Sequence, residues 1–159
     1  MMQVTGKTLE RQRFLHGLQA GQLDALAATA SEVMFPAGFR VFADGGYADR
    51  FWLIESGYVD LDVQVPGEGP AVIATVGIGG LLGWSWLASS HKWAFGAVCV
   101  TEVKAYEFDA AAVRACCAAD PVLGNELTRR MFDVVAGRVQ DTMTLMISRS
   151  EDATRYATS

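Results

Sequence analysis

The chain has 159 residues, 51% of them hydrophobic and 19% charged, with a formal net charge of −5. That length and apolar fraction suit one domain around one buried core, and the acidic balance argues against direct nucleic-acid binding, which needs clustered Lys and Arg. No apolar run reaches the ~18 residues of a membrane span, and Met1–Glu10 lacks signal-peptide character. The cysteines, Cys99, Cys116 and Cys117, match neither a disulfide framework nor zinc-ligand spacing, so a cytoplasmic chain without membrane attachment is expected.

In chain order, Phe14, Leu15 and Leu18, then Leu23, Leu26 and Ala27, recur at three- and four-residue intervals and predict short helical turns with one buried side. From Glu32 the texture changes to short apolar runs divided by turn residues: Val33-Met34-Phe35, Pro36-Ala37-Gly38, Val41-Phe42 and Asp44-Gly45-Gly46. These predict strands. Val59–Val65 alternates apolar and polar residues strictly and reads as a half-buried antiparallel strand. The turn-rich Pro66-Gly67-Glu68-Gly69-Pro70 leads into Ala71–Val76, which should close a hairpin with it. A further strand pair is predicted over Ala97–Val100 and Val103–Phe108, turning near Thr101-Glu102. Many short strands between turn signals point to a closed barrel or jelly roll.

After Phe108, Asp109 is placed to cap a short helix through Ala118, and Pro121 to open a longer one. Along the second, Leu127, Met131, Val135, Val139, Met143 and Met146 form an apolar stripe. A helix from Val122 to Ile147 would be about 39 Å long, more than a small barrel needs to cover itself. The stripe therefore predicts a homodimer seam, although packing back on the barrel would use the same residues. Residues 1–147 read as one domain and Ser148–Ser159 as a polar, frayed tail.

Order and turn chemistry together resemble the cyclic nucleotide-binding domain of catabolite-activator-type regulators and of cAMP-dependent kinase regulatory subunits. The resemblance covers Phe14 to Met146. It is carried by Phe35-Pro36-Ala37-Gly38 and by Gly46-Tyr47-Ala48-Asp49-Arg50-Phe51-Trp52-Leu53-Ile54-Glu55-Ser56-Gly57-Tyr58-Val59, which ends in the family's "I-x-S-G-x-V". It implies a mainly β fold with flanking helices: a jelly-roll (double-stranded β-helix) barrel, N-terminal helical turns and a long C-terminal helix. It also implies a phosphate-binding cassette, patterned "P-G-E-x-F-G-E-x-A-L" and then "R-x-A-T/S", in which helix N-terminal amides and an Arg hold a cyclic phosphate while a Glu holds the ribose.

The corresponding stretch is Ile78-Gly79-Gly80-Leu81-Leu82-Gly83-Trp84-Ser85-Trp86-Leu87, followed by His91-Lys92-Trp93-Ala94-Phe95-Gly96-Ala97. The glycines remain and the charges do not: Trp84 stands at the Glu position, Ala94 at the Arg position and Ala97 at the Thr/Ser position. One charge-assisted hydrogen bond contributes about 1.5–3 kcal/mol, so losing two weakens cAMP binding by orders of magnitude. Lys92 offers a point charge near the lost Arg but not its planar fork, and a solvated surface lysine is the plainer reading. Gly83–Leu87 with Lys92-Trp93 is similar to a bacterial subset carrying "G-W-S-W-L" and then "R-W".

The sequence thus predicts a regulatory module that senses a cyclic nucleotide (cAMP or cGMP) or a related small anionic or aromatic ligand. Gly79, Gly80, Leu82, Gly83, Trp84, Ser85, Lys92, Trp93 and Ala94 are its candidate binding residues. The alternative is a ligand-free barrel acting as a dimerisation or protein-binding scaffold. An enzyme is not expected: His16 and His91 are the only histidines, too few for a cupin-type metal site or a catalytic triad. Ser148–Ser159 leaves no room for a helix-turn-helix, so any signal is expected to pass to a separate protein partner.

Overall fold

The computed structural model describes residues 3–87 and 91–157. Two short helices, α1 (Gly6–Glu10) and α2 (Ala20–Ala27), precede the strands β1 (Ala30–Phe35), β2 (Arg40–Phe42), β3 (Arg50–Ser56), β4 (Val59–Val65), β5 (Gly69–Val76), β6 (Leu81–Leu82), β7 (Gly96–Cys99) and β8 (Val103–Asp109). Helices α3 (Ala110–Ala119) and α4 (Pro121–Ala157) follow. The expected helix cap is present, with the Asp109 carboxylate accepting from the Ala112 amide at 3.1 Å.

All strand pairs are antiparallel, in two four-stranded sheets of order β1-β8-β3-β6 and β2-β7-β4-β5. The sheets sandwich one core that includes Phe51, Leu53, Ile54, Val59, Leu61, Ala97, Val103 and Phe108. The mainly β fold with flanking helices and a long C-terminal helix expected from sequence holds, with one correction: the two sheets face each other as a sandwich without joining into a closed barrel. The β4–β5 hairpin forms, with Val59 opposite Val76 and Val65 opposite Gly69.

The expected pairing of residues 97–100 with 103–108 does not occur. β7 joins β2 and β4, whereas β8 joins β1 and β3, so Thr101-Glu102 is a corner between sheets and not a hairpin turn. Gly57 explains the tightness of this corner. Its φ is +95° and a Cβ there would run into the Glu102 carbonyl, while the neighbouring Tyr58 amide donates to Thr101 Oγ1 at 3.1 Å. Alternation along β4 also breaks at a register shift between Leu61 and Asp62. Asp62 is thereby buried, where it accepts both arms of Arg40 at 3.1 and 2.8 Å.

Helix α4 has 37 residues, about 55 Å at 1.5 Å per residue. The tail expected to fray from Ser148 is instead helical through Ala157, since no Gly or Pro follows Gly137 to stop it. The apolar stripe divides in two. Leu127 and Met131 are buried in the core, as is Leu123 one turn before them, whereas Val139, Met143 and Met146 are exposed.

Candidate ligand-binding site

The cassette stretch starts as an extension of the first sheet. The Gly79 amide donates to the Ile54 carbonyl at 2.8 Å and the Ile54 amide to the Gly80 carbonyl at 3.0 Å, after which Leu81 and Leu82 pair with Leu53 and Trp52. Gly83 then turns the chain at φ +90°, with its α-carbon so close to Trp93 that a Cβ would lie 2.8 Å from the indole. Ser85–Leu87 form a single 3-10 turn. Beyond residues 88–90, the chain is pinned to the Gly45–Ala48 turn: Ala48 donates to the His91 carbonyl at 2.7 Å, Trp93 to Gly46 at 2.8 Å and Gly45 to Trp93 at 2.8 Å.

The three clustered indoles play different parts. Trp93 is buried and stacks on Phe42 at 3.9 Å between centroids. Trp86 is buried and stacks on Phe51 at 5.0 Å. Both are core residues. Trp84 alone is half-buried, tilted against Phe95 at 4.9 Å and lying under the Arg138 guanidinium at 4.6 Å.

Trp84 and Phe95 border a cavity of about 240 Å³ between the β4–β5 sheet and α4. Leu61, Ile73 and Ala74 form the sheet wall; Val135, Arg138, Val139, Asp141, Thr142 and Met143 form the helix wall. Arg138 reaches across it to donate Nη2 to the Leu81 carbonyl. Its Nη1 is buried without an acceptor. Among the described residues no carboxylate pairs with this guanidinium, and burial lowers its pKa to about 10, which leaves it charged at neutral pH. A second hollow, of about 290 Å³, lies beside Trp93 and Arg50, but Arg50 is already paired with Glu107 at 3.0 Å.

Of the nine residues singled out from sequence, only Trp84 borders the cavity beside α4, while Trp93 borders the second hollow. Leu82 and Ser85 are buried, Gly79 and Gly80 continue the sheet, and Gly83 seats Trp93. Lys92 and Ala94 are exposed, Lys92 in a bridge to Tyr47. Sequence reasoning missed the helix wall, Arg138 above all. Its signal was an arginine three residues after Val135 on the stripe-bearing helix. No group of three metal-ligating side chains occurs among the described residues, and no described helix is long and apolar enough to cross a membrane.

Residues 32–120, more than half of the 159, match the cyclic nucleotide-binding domain family, and the chain belongs to that family. It is 28% identical over 134 residues to the CRP-like cAMP-activated global transcriptional regulator of Mycobacterium tuberculosis, an alignment covering 84% of this chain and 58% of the relative. The chain thus spans little more than half the length of that regulator. Among solved structures, it superposes on a cyclic nucleotide-binding domain from Methylobacillus flagellatus KT with a TM-score of 0.82 and 18% identity, covering 93% of this chain and 87% of the other. For the Thermus thermophilus catabolite activator protein the TM-score is 0.69 at 20% identity, covering 86% of this chain and 62% of the other.

Proposed function

We propose that this domain is a cytoplasmic, non-enzymatic sensing module that binds a small ligand between the modified cassette and α4, with cyclic nucleotide affinity well below that of an intact cassette. The observation that carries the reading is the open cavity of about 240 Å³ bordered by Trp84 and α4. A barrel degenerated into a mere scaffold would gain by filling such a space with side chains. Trp84 is assigned direct ligand contact; Gly79, Gly80, Leu82, Gly83, Ser85 and Trp93 build its frame, and Lys92 and Ala94 flank it from outside. The weakened nucleotide affinity follows from Trp84 and Ala94 standing at the ribose- and phosphate-binding positions. The free thiols of Cys99, Cys116 and Cys117 accord with a reducing compartment, and the net charge of −5 with a module that does not itself hold nucleic acid.

The test is indole fluorescence during titration with cAMP and cGMP. Dissociation constants above about 10 μM, weaker than roughly −7 kcal/mol, are expected. Saturable quenching at lower concentration overturns the weakened affinity. Ala74→Phe, which fills the cavity from the sheet side, should abolish whatever binding is seen.

A second reading, association through α4, is favoured by the exposed row Phe132, Val139, Met143 and Met146, whose seven-, four- and three-residue steps follow a coiled-coil seam. The two readings are compatible, since Val139 and Met143 also border the cavity. Light scattering should give a mass near twice 17.1 kDa; a monomer mass at micromolar concentration overturns the homodimer. A separate protein partner would then be the remaining route for the signal.

A further inference from the structure

We infer that Arg138 is the anion receptor of this cavity, so that the site takes a small amphipathic anion whose carboxylate or phosphate-ester group meets α4 and whose apolar body lies against the sheet. The inference rests on the sensing reading above. It reverses the polarity that the family resemblance implies, in which the cassette supplies the charge partners. Here the cassette supplies an indole and the helix supplies the cation.

Arg138 carries a charge that no carboxylate among the described residues balances. Arg138 donates one arm to the Leu81 carbonyl and lies over Trp84 at 4.6 Å, while Nη1 is buried with no acceptor. Asp141, which borders the same cavity, is exposed and forms no ion pair with it. A guanidinium carries five donors in a planar fork suited to carboxylate or phosphate oxygens. Burying such a fork half-used is unfavourable unless an anion arrives to complete it.

The remaining walls set the rest of the ligand. Leu61, Ile73, Phe95 and Val135 offer apolar surface with no further cation, which favours one charged group on an apolar body over a polyanion. At about 240 Å³ the space falls below the ~300–1,000 Å³ typical of drug-sized pockets, so the body is small or α4 moves outward to admit it. An anion would compete for the donors that now latch α4 to Leu81 and Trp84, so that occupancy acts directly on the helix.

Titration calorimetry with octanoate, octyl phosphate and 1-octanol tests this on the full chain, comparing wild type with Arg138→Gln and Arg138→Lys. At least one anion should bind wild type ten or more times tighter than the alcohol. R138Q should bind all three alike, R138K should keep part of the preference, and unliganded R138Q should melt at or above the wild-type temperature. If alcohol and anions bind wild type equally, or if R138Q keeps the preference, the anion role is overturned while the cavity reading stands. A sharply lowered melting temperature in unliganded R138Q overturns it too, by making Arg138 a structural latch. Failure of all three to bind wild type overturns the sensing reading and this inference together.

Discussion

The two walls of the cavity are built differently. On the sheet and cassette side Gly83 turns at φ +90° against Trp93, Trp93 stacks on Phe42, and the buried Asp62 on β4 is matched by both arms of Arg40. On the helix side Val139 and Met143 are exposed, and Arg138 keeps a buried arm without an acceptor. Two arginines near the same sheet thus stand in opposite conditions. Neutralised charge marks the wall that holds the fold, and unneutralised charge marks the wall available for binding.

The largest effect that would sharpen this contrast is expected at Gly83. Gly83→Ala adds backbone strain of about 1–3 kcal/mol and a Cβ 2.8 Å from the Trp93 ring, so urea unfolding should show a loss of about 2–4 kcal/mol. A loss under about 0.5 kcal/mol would mean that the cassette frame is loose. Asp62→Asn should cost about 1–2 kcal/mol, less than for a fully buried pair because Arg40 is 41% exposed and can rehydrate.

The same pair fixes a pH dependence. Hydrogen bonds from Arg40 hold the Asp62 carboxyl below its ordinary range, so its contribution is present above the unfolded value of about 3.9 and is lost as pH falls through the lower folded value. The urea midpoint of the wild type should therefore fall more between pH 5 and pH 3 than that of Asp62→Asn. Parallel curves would detach Asp62 from acid stability.

On the helix wall the expected stability effects are small. Arg138→Met removes one hydrogen bond and a stacking contact but also a buried charge, so stability should stay within about 0.5 kcal/mol of wild type or rise. Smaller still is the effect of Met143→Ser on the isolated protomer, because Met143 is 57% exposed; its expected readout is a weakened dimer by light scattering.

The same division explains what the sequence disclosed. The Val59–Val65 alternation, the 66–70 turn and the Asp109 cap are local signals, and a strand period or a helix cap can be read within a few residues. The split of β7 and β8 between sheets could not be read this way, because Thr101-Glu102 has the same turn chemistry whether the chain folds back or crosses over. Arg138 was hidden for a stronger reason: it acts on Leu81, 57 residues away, and on a neighbouring indole. Only the docking of α4 brings them together. Lys92 lies near a motif position, yet its side chain is exposed and does not border the cavity beside α4.

A crystal structure of the protein grown with octyl phosphate tests the central claim most directly. The phosphate is expected within hydrogen-bond distance of Arg138 Nη1, with the alkyl chain against Leu61 and Phe95. A phosphate seated at Lys92, or at the Gly83–Ser85 backbone with Arg138 still on Leu81 and without a ligand oxygen, would contradict it.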